Sequence, residues 1–284
     1  MDCRCLFFRL RFRFTFFVIV DYICAVMAII TLTTDWHNDD FYVGAMKGRI
    51  LSQCPGATIV DITHKIESYK SAHAAFILRG TFPHFPPGTI HLICTNSEVN
   101  EKHNPVCISY KGQYFIGCDT SAMKVMFARQ PEKVVVLSPE KFANSTFPEL
   151  TILAPAACML ANGATLDDIG IDATDEFSIL ELGPSCTDDS ISGSVIYIDS
   201  YKNAITNITR KTFESVRGGR RFEIVVKNDT YKITEISRTY GDVRTGDLLA
   251  LFNSLGLLEI AIRDAYLADL AKIECNTSVL IKFL

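Results

Sequence analysis

The sequence predicts an α/β fold followed by a smaller, mainly β unit, and three observations predict it. β-Branched apolar runs break abruptly into polar turns at residues 29–34, 57–64 and 89–94. Apolar residues at helical spacing lie between these runs, as in Tyr42, Val43, Met46, Ile50 and Leu51. Beyond residue 192 the pattern changes to short strands separated by turns. Ligands of open α/β sheets sit at the carboxyl ends of the strands, so Asp35 and the loop to Asp40 are the first candidate site.

Residues 1–26 stand apart from everything that follows. They are basic and aromatic through Arg4, Arg9, Arg11 and Arg13, then apolar over 16–25 except for Asp21 and Tyr22. The favoured reading is a natural start at Met27, with the leader a start-site error, because its removal leaves the first strand intact. A cleaved signal peptide is the second reading. A membrane anchor is the third, although the run is shorter than a bilayer span and carries Asp21.

From Met27 the expected order is a strand at 29–34, a helix from Tyr42, a buried strand at 57–64 and a helix at 71–79. A Pro-rich turn through Pro83, Pro86, Pro87 and Gly88 leads to the third strand, 89–94. A hairpin of 106–110 and 113–117 turns at Lys111-Gly112, a helix covers 121–128, a strand covers 134–137, and a helix at 152–163 stops at Asn162-Gly163. The acidic, aperiodic stretch 172–192 carries the boundary. The expected domains are an N-terminal α/β domain at 27–176, a linker at 177–192 and a C-terminal β domain at 193–284. Strands at 195–199, 204–208, 222–226, 230–236, 248–253, 257–265 and 279–283 make up the last.

Composition narrows the function. A formal charge of −4, with 28 Lys and Arg against 32 Asp and Glu, argues against nucleic acid as a partner. Of ten cysteines, Cys3, Cys5 and Cys24 lie in the leader. The other seven are scattered without metal spacing, so reduced thiols of a cytoplasmic protein are expected, with no metal or cofactor and no membrane partner. The Asp39-Asp40 pair reads as a solvated helix start. His64 and His91, at strand positions, read as hydrogen-bonded structural histidines.

Seven blocks in order then carry a resemblance. They are Thr33-Thr34-Asp35, residues 42–48, residues 60–64, residues 85–91, Ala154-Pro155-Ala156-Ala157, Ile198-Asp199 with Asn203 and residues 205–208, and residues 253–261. Together they resemble the S-adenosylmethionine (SAM) hydroxide adenosyltransferase family, which includes fluorinases and chlorinases. The resemblance implies a Rossmann-like N-terminal domain, a barrel-like C-terminal domain and a homotrimer with sites between subunits. It also implies attack of hydroxide or halide on the 5′-carbon of SAM, with methionine leaving. A sulfonium is already a good leaving group, so such a protein has mainly to align and desolvate the nucleophile.

Carried over by position, Asp35 matches the carboxylate that holds the ribose hydroxyls; a helix N-cap is the alternative. Tyr69 matches an aromatic near the ribose and sulfonium, and Tyr240 one flanking adenine, while both also suit half-buried core tyrosines. Asp199 and Asn203 match the pair that contacts the methionine amino group, or else cap a turn. Ser254 and Glu259 fall in the block that closes over the methionine end, and Glu259 also reads as a surface helix charge.

The departures bear on mechanism. The family's hydrolytic members orient water with an Asp, an Arg and a His; at those positions this chain carries Asn96, His103 and Pro148. Leu255 stands where halogenases carry Arg, and Arg263 where the closing block has Asn. The candidate catalytic residues are therefore Glu98 or His103 in the rearranged loop, Glu149 beside the lost His, and Asn96, whose amide orients water but takes no proton. The sequence reading is hydrolysis of SAM to adenosine and L-methionine. Its alternatives are a SAM- or adenosine-binding protein without turnover, and a halide-using adenosyltransferase.

Overall fold

The computed structural model describes residues 28–37, 39–68, 70–97, 103–137, 146–180, 183–227 and 231–284. The leader, Tyr69 and Glu98 lie outside the described residues. The described residues fall into two compact units, one drawn from 28–74 and 81–178, the other from Ala75–Gly80 and Ile179–Leu284.

The first unit is built on a seven-stranded mixed sheet of order β2-β1-β3-β5-β4-β6-β7. Its strands are β1 (Ile29–Thr34), β2 (Thr58–Thr63), β3 (Ile90–Cys94), β4 (Pro105–Tyr110), β5 (Gln113–Cys118), β6 (Lys133–Leu137) and β7 (Gly170–Asp172). β1 pairs in parallel with β2 and β3, and β3 with β5; the remaining pairs are antiparallel. Helices α1 (Tyr42–Gln53), α2 (Ser71–Thr81), α3 (Ser121–Met126), α4 (Ala154–Ala161) and α5 (Leu166–Ile169) connect the strands. Met46 and Ile50 of α1 and Ala154, Ala156 and Ala157 of α4 bury against Ile30, Leu32, Ile90 and Leu92, which makes the apolar stripe of each helix the core.

The chain runs from β1 to β2 on one side and then crosses to β3 on the other. The ends of β1 and β3 therefore flank the point where strand order reverses, the usual crevice of such sheets. Three differences from the sequence reading have local causes. β2 is an edge strand and half-exposed rather than buried. The helix expected at 152–163 is an α-helix only from Ala154. It is preceded by a π-helical turn, Glu149–Leu153, in which Ala154 N–H donates to Glu149 C=O. Pro155 has no N–H for the carbonyl of Thr151 and its ring displaces that carbonyl, which widens the turn. β7, three residues long, carries too little pattern to read.

His91 lies wholly buried in β3 and shows how polar groups are accommodated in this core. The side-chain amide of Gln113 is oriented by its Nε2, which donates to the carbonyls of Phe82 and Phe85, so its Oε1 accepts from His91 Nε2–H at 2.7 Å. His91 Nδ1 is then the acceptor for the Thr31 hydroxyl at 2.8 Å. Burial lowers the His91 pKa, and the ring is a neutral structural element.

The second unit carries a sheet of order β12-β11-β15-β9-β10-β14-β13, with β8 on β9. Its strands are β8 (Ser185–Cys186), β9 (Ser190–Ile198), β10 (Ala204–Thr209), β11 (Phe222–Val226), β12 (Tyr231–Ile233), β13 (Leu248–Phe252), β14 (Leu257–Ile262) and β15 (Ser278–Phe283). Ser237 N–H donates to Ala250 C=O across the gap between the two ends of the sheet, which nearly closes it into a barrel around Ile191, Phe213, Ile224, Ile260 and Ile281. Helices α6 (Arg210–Arg217) and α7 (Leu267–Ala271) have no counterpart in the sequence reading; α6 is capped by Thr209 and stopped by Gly218 in the left-handed region. The stretch 177–192, expected as a linker, contains β8 and the start of β9. In β9, a side chain at Gly193 would meet Asn207 Oδ1 at 2.6 Å, where that oxygen accepts from Ser194 N–H.

The seven cysteines from Cys54 to Cys275 are free thiols. Among the described residues no helix is long and apolar enough to cross a membrane, and no three His, Cys, Asp or Glu side chains gather as a metal site.

Candidate functional site

Each unit assembles one cluster around a carboxyl group. In the first, Asp35 leaves the end of β1 and its Oδ2 accepts the backbone N–H of Asn96, 3.3 Å away, just past the end of β3. Asn96 takes the left-handed conformation, φ 48°, which turns its N–H inward and leaves its side chain exposed. It is the backbone of Asn96, not its side-chain amide, that meets Asp35. Asp35 caps no helix, for the N-cap of α1 is Phe41 without a side-chain bond, and Asp39 and Asp40 are exposed in the bend before it.

Glu149 opens the π-helical turn and is 7% exposed. Burial pushes its pKa up and the neighbouring Asp35 carboxylate adds to the rise, against its own N–H and the Ser97 hydroxyl. Ser97 Oγ is itself buried and has no hydrogen bond of normal geometry. Burial likewise raises Asp35, opposed by the N–H groups of Asn96 and Asp35 and by the charge of His37. Two thiols complete the surroundings, Cys94 and Cys118, both raised chiefly by burial and also by Glu149, Cys118 to about 12.

An aromatic cluster fixes this geometry. Phe147 packs edge-on against Trp36 at 5.4 Å and Tyr42 at 5.3 Å, so the residue two before Glu149 is wedged between the Asp35 loop and the start of α1. The carbonyl of Phe147 accepts the N–H groups of Leu150 and Thr151, which starts the turn directly behind the wedge. His103 is half-buried ahead of β4. His64 bonds Thr34 through Nδ1 at 3.0 Å.

In the second unit, Asp199, Tyr240, Ser254 and Glu259 line one open cavity of about 570 Å3, with Phe76, Tyr197, Arg238, Asn253 and Leu255, and Asn203 stands behind Glu259. Glu259 is not a surface helix charge; it lies in β14 and is 3% exposed. Tyr240 O–H donates to its Oε1 at 2.5 Å, Asn203 Nδ2 to the same oxygen at 3.1 Å, and Asn253 Nδ2 to Oε2 at 3.2 Å. Burial, then the Glu259 bond, pushes the Tyr240 hydroxyl pKa well up, so it stays a donor. Asp199 Oδ1 caps its turn by accepting from Tyr201 and Asn203 N–H, and Oδ2 lies 3.4 Å from Asn203 Nδ2. Phe76 stacks on Tyr197 at 4.4 Å. Sequence reasoning misses Asn253, although it opens the block 253–261, and misses Arg238 and the Phe76–Tyr197 stack, which no local pattern marks.

The chain matches two family sequence models, the SAM hydroxide adenosyltransferase N-terminal domain over residues 30–170 and its C-terminal domain over 193–280. It is 28% identical to the (R)-S-adenosyl-L-methionine hydrolase of Methanocaldococcus jannaschii, covering 83% of this chain and 89% of that one. It is 26% identical to the protein of the same name from Thermus thermophilus, over 81% and 89%, and 24% identical to a fluorinase of an Actinoplanes species, over 84% and 92%. The crystal structure of an uncharacterized conserved protein from Thermotoga maritima superposes with a TM-score of 0.78 at 26% identity, covering 90% of this chain and all of that one. With both domains matched in order, one holding a strand-reversal crevice and the other a nearly closed β sheet, the chain belongs to the SAM hydroxide adenosyltransferase family.

Proposed function

We propose that this protein hydrolyses SAM to adenosine and L-methionine. The observation that carries the reading is the likeness of both domains, in order, to a family whose curated relatives include SAM hydrolases. The chemistry of the two clusters agrees with it. SAM presents a sulfonium and an ammonium, and each unit offers carboxyl groups: Asp35 and Glu149 in one, Asp199 and Glu259 in the other. Asp35 is assigned to the ribose hydroxyls, Tyr240 to adenine, and Asp199, Asn203, Ser254 and Glu259 to the amino-acid end. Tyr69 keeps the ribose-side role implied by the family blocks. The working assembly in this reading is a homotrimer with sites shared between subunits.

Water is preferred to halide as the nucleophile because the half-buried Asp35 and the buried Glu149 beside it disfavour an anion. One observation favours a second reading, a binding protein without turnover: Asn96, His103 and Pro148 occupy the positions of the family's water-orienting Asp, Arg and His. Incubating the protein started at Met27 with SAM, with and without chloride, decides among them by chromatography and mass. Adenosine and methionine above the enzyme-free control support hydrolysis. A 5′-chloro nucleoside means halide transfer, and calorimetric binding without product leaves the binding protein.

A further inference from the structure

We propose that Glu149 is the general base of this chain, taking a proton from the water that attacks the 5′-carbon and standing in for the family's missing water-orienting set. The inference rests on the hydrolase reading and names the residue that makes it work.

Four observations place Glu149 in that role. It projects from a π-helical turn that packs against β5 and α1, near the residues that end and follow β1 and β3, Asp35, Cys94 and Ser97. Irregular turns of this kind re-aim a side chain that an α-helix would direct elsewhere. Its carboxyl lies near enough to Asp35 to feel its charge, and Asp35 accepts the Asn96 N–H. Ser97 Oγ beside it is buried and lacks a partner of normal geometry, a polar group suited to a second contact with a bound water. The Trp36–Phe147–Tyr42 cluster holds the turn in register, so the carboxyl is positioned by packing.

The step balances without a co-reactant. The water oxygen bonds to the 5′-carbon as the carbon–sulfur bond breaks, and the electron pair of that bond goes to sulfur, leaving a neutral thioether in methionine. One water proton stays as the 5′-hydroxyl of adenosine. The other passes to the Glu149 carboxylate and then to solvent. An acceptor in this position requires the ionised form. The groups facing it are Asp35, Cys94, Cys118 and Ser97; both thiols are held neutral by burial, and Asp35 adds a charge that raises the proton affinity of Glu149.

The test compares wild type with Glu149→Gln, Glu149→Asp and Ser97→Ala, following adenosine release across pH and SAM binding by calorimetry. Glu149→Gln is expected to lower kcat about 100-fold or more while the Kd for SAM changes less than about threefold, in line with the usual contribution of a general base. Wild-type kcat is expected to fall as pH drops through the raised pKa of Glu149, and the Glu149→Gln protein to lose that limb. Glu149→Asp is expected to recover part of the rate. Ser97→Ala, which removes a group that lowers the pKa, moves the limb to higher pH. A Glu149→Gln protein that binds SAM is folded, so its rate is informative; should it fail to bind, Glu149→Asp carries the test, and a kcat and an acid limb both equal to wild type in that variant overturn the inference. Wild-type hydrolysis with unchanged kcat in Glu149→Gln overturns this inference alone, as does an acid limb that survives the substitution. Absence of adenosine from wild type overturns the hydrolase reading and this inference with it.

Discussion

Glu149 and Glu259 are both buried carboxyl groups, and their surroundings differ in kind. Glu259 is well supplied with donors: a tyrosine hydroxyl and two side-chain amides converge on its two oxygens from Tyr240, Asn203 and Asn253. Glu149 faces another carboxyl, a serine without a good partner and two thiols. A carboxylate saturated with donors is fixed in place and suited to holding a ligand. One left unsaturated beside a like charge is free to exchange a proton. The comparison separates a carboxyl held by converging donors from one left beside a like charge, within a single chain.

The largest effect is expected from Glu259→Ala, which strands Tyr240, Asn203 and Asn253 without their acceptor. A loss of about 3 kcal/mol in urea unfolding is expected, along with weaker SAM binding. A loss below about 1 kcal/mol would mean that the donors find water and that the cluster is not a structural unit. Next is Phe147→Ala. Removing the wedge between Trp36 and Tyr42 costs about 2 kcal/mol for a half-buried aromatic, and kcat falls further than KM rises because the turn behind it loosens. An unaltered rate would detach Glu149 from the clamp.

Tyr240→Phe deletes one of the three donors to Glu259 and is expected to cost about 1 kcal/mol in SAM binding, roughly fivefold in Kd. The smallest effect has the opposite sign. The raised pKa of Glu149 means that the native state binds the proton more tightly than the unfolded chain does. Its contribution to stability is therefore greatest at pH below its unfolded value and is lost as pH rises through the folded value. Glu149→Gln should consequently raise Tm at pH about 8, and the gain should shrink as pH is lowered through the raised folded value and vanish below the ordinary value of 4.5, where the wild-type carboxyl is protonated in both states. A lower Tm at the higher pH would equate Glu149 with Glu259 and erase the contrast.

How far the sequence reveals these features depends on how local their causes are. β1, α1, β3 and the β4–β5 hairpin are legible because β-branched runs, helical spacing and Lys111-Gly112 act within a few residues. The start of β9 is not, because Ser190, Ser192 and Gly193 are polar or bare and their strand state comes from pairing with β15. α6 has its signals, Thr209 and Gly218-Gly219, but its apolar face is only Phe213 with the partly buried Val216, too short a stripe to read. The same holds for the site. Asp35, Asp199, Asn203 and Glu259 announce themselves by residue type in ordered blocks, whereas the bonds from Asn203 and Tyr240 to Glu259 span 56 and 19 positions. Glu149 is legible as a candidate by position; the π-helical turn that buries it depends on Pro155 and on packing by Phe147.

The neutral imidazole of His91 offers a spectroscopic handle on the first unit. Its Nε2–H is wholly buried and locked onto Gln113 at 2.7 Å, so the proton exchanges with solvent only when the sheet around β3 opens. Isotopic labelling of histidine nitrogen therefore places a reporter of that opening one strand away from Asp35, and its exchange rate measures the breathing of the crevice directly.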